Sequence, residues 1–152
     1  MKPSSMKGRF RLVCGCLALS SLVLLFVPLV DFNGTSQQRT GGMILGVLFW
    51  AGLLAGWILY GGLYRKLKRS GVLPEKHRPG MIRFFRNRIA AGADVLGLMA
   101  LALNVVFLLG GPAPWPWLEA LAACAFLLCF HGHYLFNGVT YQQIFSDERR
   151  SL

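Results

Sequence analysis

The sequence predicts an all-α polytopic membrane protein, a bundle of four transmembrane helices with both termini in the cytoplasm. Three observations predict it. Hydrophobic residues make up 55% of the 152 residues and charged residues only 14%, against roughly 25% charged in ordinary globular chains. A chain this short, with a mean hydropathy of +0.51, cannot hide so much apolar surface from water in a soluble core. The apolar residues fall into four runs, each near the roughly 20 residues that a helix needs to cross a bilayer. The basic residues alternate with those runs in a one-sided pattern. A soluble enzyme, a disordered tail and a disulfide-stapled secreted domain are thereby excluded, and the length allows one domain, 1–152.

The first run covers about 12–30, the second 43–64, the third 89–109 and the fourth 117–139. Each is expected to be helical, because in hydrocarbon every backbone N–H and C=O needs a partner within its own segment. The first run is longer than a signal-peptide core, and no small-x-small cleavage site follows Val30, so it reads as a retained span. The segment 31–41 reads as a short outer loop, and its Asn33-Gly34-Thr35 sequon is a common chance match. The second outer connection, with Pro112, Pro114 and Pro116, is a stiff turn whose Trp115 and Trp117 suit the interfacial aromatic belt. No internal repeat is visible.

Lys2, Lys7, Arg9 and Arg11 precede the first span, nine Lys or Arg residues lie in 65–88, and Arg149 and Arg150 follow the fourth. Arg39 alone remains for the other side. The positive-inside rule therefore places both termini and the basic loop 65–88 in the cytoplasm of a plasma-membrane protein. The net charge of +10 is read as topology charge flanking spans, with anionic lipid head groups as partners and no nucleic acid. Within the loop, Pro74 and Pro79 break helices. Large apolar residues then alternate with Arg83, Arg86 and Arg88, an interfacial segment with rings in lipid and guanidinium groups at phosphates. A docking site for an anionic partner is the alternative.

Small residues mark close helix packing. Gly52 and Gly56 form G-x-x-x-G, and Ala93 and Gly97 repeat the spacing. Packing within the bundle and homodimerisation both fit. Polar residues at membrane depth are the stronger signal. Asp94 lies about 8 Å into the third span and His133 at a similar depth in the fourth, counted at about 1.5 Å per residue. Helices joined by a tight turn are antiparallel neighbours, so Asp94 is expected to meet His133 or Asn137. Cys129, His133, Asn137 and Tyr141 follow at steps of four and share one helix face, with His131 facing elsewhere. Asp94, His133, Asn137 and Tyr141 are the candidate ligand-binding residues. They form either a buried hydrogen-bond cluster that fixes packing or a small ligand, ion or proton site open to the cytoplasm.

Other chemistry is poorly served. One carboxylate and one imidazole are too few to hold a metal. Cys14 and Cys16 fall on opposite helix faces and are not a C-x-x-C redox pair, and the histidines do not suit a bis-histidine haem. No nucleophile–base set, P-loop or dinucleotide fingerprint is present. We expect no metal, no cofactor and no enzymatic activity.

Two stretches, Pro79-Gly80-Met81-Ile82-Arg83-Phe84-Phe85-Arg86-Asn87-Arg88 running on to Asp94, and His133-Tyr134-Leu135-Phe136-Asn137-Gly138-Val139-Thr140-Tyr141, resemble blocks of uncharacterised small four-helix integral membrane proteins of Clostridium-like Gram-positive bacteria. The resemblance covers the second half of the chain. It implies a bacterial plasma membrane and no particular activity. Its motif positions here are Arg83, Phe84, Phe85, Asp94, His133, Asn137, Gly138 and Tyr141.

Two function classes follow. One is a non-enzymatic accessory, regulatory or toxin-immunity protein with a membrane partner. The other is a small transporter or ligand-binding protein using an Asp94–His133–Asn137 layer, in an oligomer with Gly52 and Gly56 at the interface.

Overall fold

The computed structural model describes residues 3–30, 35–71, 88–110 and 116–149. Among them the chain is helical with no strand: α1 (Pro3–Val23) running into a 3₁₀ segment (Leu24–Leu29), α2 (Ser36–Arg69), α3 (Arg88–Gly110), α4 (Pro116–Asn137) and α5 (Val139–Arg149). Four helices are long and apolar enough to cross a membrane, over Met6–Leu29, Ser36–Arg69, Arg88–Gly110 and Pro116–Asn137.

The helix ends differ from the expected spans for local reasons. Helix α1 begins at Pro3, a residue pre-set for the first helical position, so Lys7, Arg9 and Arg11 are helical rather than a leading tail. Its C-terminal end tightens to 3₁₀ around Pro28, which lacks an N–H and crowds the carbonyl four residues back. The expected outer loop 31–41 is shorter, because α2 starts inside it. The Thr35 side chain accepts from the Gln38 backbone N–H, and the Gln38 side chain accepts from the Thr35 N–H at 2.8 Å, a capping box. The fourth span does not run on to Val139. The helix breaks at Gly138, where an added Cβ would lie 2.9 Å from Tyr60 Oη, and the chain resumes as α5. Trp115, Arg83, Phe84, Phe85 and Arg86 lie outside the described residues.

Helices α1 and α2 form an antiparallel clamp. A Cβ on Gly56 would sit 2.6 Å from the Leu17 side chain, and one on Gly52 would sit 3.0 Å from Ser20 Cβ, so α1 lies against bare backbone. The glycines are thus used in packing within the chain. Helix α4 packs on α1, α5 folds back beneath α1 and α2, and among the described residues α3 packs on α4 alone. The core gathers at the end of the bundle that carries the basic residues. It joins Phe10, Val13 and Leu17 from α1, Leu63 and Leu67 from α2, Leu135 from α4 and Ile144 from α5. The Phe10 ring meets those of Phe136, Tyr141 and Phe145 at 5.8–6.1 Å. Tyr60 on α2 donates to Thr140 Oγ1 at 3.3 Å, tying the α4–α5 break to the clamp.

Candidate functional site: a groove between α3 and α4

Helix α3 approaches α4 through small residues. A Cβ on Gly97 would lie 3.0 Å from Cys129 Cβ, and one on Gly132 would lie 3.4 Å from Ala93 Cβ. The close approach lets the short Asp94 side chain reach across the seam to His133. Asp94 Oδ1 is hydrogen-bonded to His133 Nδ1, with Asp94 only 4% exposed. A carboxylate accepts only, so the proton of this bond lies on the imidazole Nδ1 when Asp94 is ionised. The Asn137 carboxamide sits against the same nitrogen at 3.4 Å. Asp94, His133 and Asn137 therefore form one layer.

Tyr141 does not join it. The helix breaks at Gly138, so the step-of-four face ends at Asn137. Tyr141 packs instead on Phe136, Phe145 and Phe10, with the nearest ring centroid at 4.9 Å. His131 faces the opposite way and is buried. The Ser21 hydroxyl donates to the Leu17 carbonyl at 3.0 Å, which leaves its oxygen to accept from His131 Nδ1 at 3.3 Å. The His131 ring also packs edge-on against Trp57 at 5.8 Å. Of the three arginines expected at head groups, Arg88 is the exposed first residue of α3; Arg83 and Arg86 lie outside the described residues.

The Asp94–His133 pair forms part of the wall of a groove of about 320 Å³ between α3 and α4. The rest of the wall is mainly apolar, with Leu98 and Leu101 on α3 and Phe126, Phe130 and Tyr134 on α4. Sequence reasoning missed these residues as site members. Phe126, Phe130 and Tyr134 recur every four residues, a stripe that reads equally well as core packing. A second cleft, of about 560 Å³, lies at the other end of the same helix pair. There Asn104 and half-buried Glu119 are joined by Val27 and Pro28 of the 3₁₀ segment, while the Asn104 amide donates to the Ala100 carbonyl at 2.7 Å.

In chemical terms the α3–α4 groove is an apolar, aromatic surface bordered by a covered carboxylate paired to a partly exposed imidazole. Such a site can hydrogen-bond a polar head, hold a proton and bury a hydrocarbon body. Among the described residues no cluster of three or more His, Cys, Asp or Glu could hold a metal ion, and the four cysteines are free thiols. Comparison with family models, curated proteins and solved structures finds no match to this chain.

Proposed function

We propose that this protein is a small, non-enzymatic, multi-pass protein of a bacterial plasma membrane, with both termini inside, that binds a lipid-soluble small molecule in the α3–α4 groove. The observation that carries the reading is the buried Asp94–His133 pair opening onto an otherwise apolar groove of about 320 Å³. Ionisable side chains at membrane depth are costly and mark functional sites by default. A pair needed only to pin two helices together has no use for a cavity beside it. The inward orientation rests on the one-sided basic residues.

Native mass spectrometry of wild type and Asp94→Asn in mild detergent tests the reading. A specific bound mass retained by wild type and lost in the variant is expected. A clean apo mass in both proteins overturns it.

A second reading, an accessory or immunity protein clasping a membrane partner, is favoured by one feature. Among the described residues, helix α3 packs on α4 alone and turns Leu96, Met99, Leu103 and Val106 outward. Crosslinking from Met99→Cys distinguishes the two: this reading requires a single protein adduct, whereas ligand binding leaves the face to lipid.

A further inference from the structure

Independently of the groove beside Asp94, we propose that the cleft at the opposite end of the α3–α4 pair binds a membrane lipid whose head group ends in a primary ammonium. The ammonium donates to the Glu119 carboxylate and the Asn104 carboxamide oxygen. The hydrocarbon of the lipid lies against Leu24, Val27 and Ala123.

The acceptors come first. The cleft, of about 560 Å³, is formed by three elements: the 3₁₀ end of α1, Asn104 of α3 and the start of α4 with Glu119. Both polar side chains offer oxygen. An ionised carboxylate only accepts. The Asn104 amide nitrogen is committed to the Ala100 carbonyl at 2.7 Å, which leaves its oxygen as an acceptor. Among the described residues neither oxygen has a protein partner. Arg39, the one basic residue that the sequence leaves for this side, is exposed and forms no ion pair with Glu119. Glu119 is half-buried, so a charge beside it is screened less than one in open water. Its place in the first turn of α4 suits the helix dipole. The dipole accounts for an acid there, but not for the cleft or for a second acceptor on another helix.

The lining then selects the kind of cation. Among the described residues no aromatic ring lines this cleft. A quaternary ammonium, which has no N–H and relies on ring faces, finds nothing to hold it. A primary ammonium has three donors, and its bonds to a carboxylate are of the stronger, charge-assisted kind. A hard metal ion asks for more oxygen ligands than two side chains supply.

Depth and access point to a lipid rather than a soluble amine. Glu119 lies three residues after the start of α4 and Asn104 six before the end of α3, about 5 and 9 Å in at about 1.5 Å per residue. The two helices, of 22 and 23 residues, are only slightly longer than the roughly 30 Å hydrocarbon core. The cleft therefore sits where head groups meet hydrocarbon. Its remaining lining is mainly apolar, and Val27 is 36% exposed, so a chain can enter from the bilayer.

The test uses the full-length protein in nanodiscs of equal parts phosphatidylethanolamine and phosphatidylcholine with identical chains. The two lipids differ only in the N–H groups of the ammonium. Native mass spectrometry of the released protein counts the lipids it retains. Wild type is expected to retain the ethanolamine lipid over the choline lipid by about fivefold or more. Glu119→Gln, close in shape, is expected to bring the ratio near one, and Asn104→Leu to lower it by about half. Val27→Trp, which fills the cleft and leaves Glu119 in place, is expected to remove the preference, and it keeps the test decisive if Glu119→Gln fails to fold. Equal retention of the two lipids by wild type overturns the proposal. A preference unchanged in Glu119→Gln overturns the role of the carboxylate, and one unchanged in Val27→Trp overturns the assignment to this cleft.

Discussion

The two sides of the bundle are held together by different means. Where α1, α2 and α5 meet, Phe10, Val13, Leu17 and Leu67 are each 2% exposed or less. Phe10 lies between Arg9 and Arg11, and Leu67 between Lys66 and Lys68, the pattern of a helix that faces water on one side and a core on the other. Helix α3 buries only Ala90, Asp94 and Ala100. It is held by close backbone approach at Gly97 and Ala93 and by a hydrogen bond to His133, the means available where lipid surrounds a helix and apolar burial gives no advantage. The contrast separates labour. The basic end is a rigid core of the kind soluble proteins use. The α3–α4 seam is held by the close approach of small residues and one polar pair, with the groove beside it.

The comparison can be broken most forcefully at the core. Phe10→Ala removes a ring that touches three others and is expected to lower stability by about 4 kcal/mol, the range for large-to-small changes at packed aromatic sites. It is read as the loss of monodisperse protein on heating in detergent. Gly56→Leu drives a side chain into Leu17 and should cost about 3 kcal/mol by overpacking, seen in the same melt. Across the seam the expected effect falls. Asp94→Asn should cost about 1 kcal/mol, in line with hydrogen bonds between membrane helices, and a double-mutant cycle with His133→Gln should assign most of that cost to the pair. A loss from Asp94→Asn as large as that from Phe10→Ala would erase the distinction between the two regions. Smallest of all, Leu96→Ala on the outward face of α3 should stay within about 0.5 kcal/mol. A larger loss there would show that the face is covered by protein rather than lipid.

Much of this was legible in the residues. The four long helices follow from four long apolar runs, because that signal is carried by about twenty residues at once and survives local irregularity. The Asp94–His133 contact follows from depth counting, since a tight turn makes α3 and α4 antiparallel and one rise per residue then sets which levels face each other. The failures share a different cause. The break after Asn137 lies in an apolar stretch where nothing but one glycine announces it, and glycine is common in membrane helices. The glycine itself answers to Tyr60, 78 residues earlier, whose hydroxyl occupies the space that a Cβ at position 138 would need. Tyr141 was misplaced as a result. The G-x-x-x-G spacing of Gly52 and Gly56 shows that some helix comes close without saying which, and the answer, Leu17 and Ser20 of α1, depends on the tertiary arrangement. The groove itself is a space between residues, and spaces leave no mark on sequence periodicity.

Helix α2 has a mechanical consequence. It runs 34 residues from the Thr35 cap to Arg69, about 51 Å at 1.5 Å per residue, with no proline to bend it. That is some 20 Å longer than the hydrocarbon core of a bilayer, a single straight rod gripped by α1 at Gly52 and Gly56. Through Tyr60 and Thr140 this rod is joined to the helix break after Asn137, the last member of the layer beside the groove. One straight helix thus connects the Thr35 end of the molecule to the neighbourhood of the Asp94–His133–Asn137 layer.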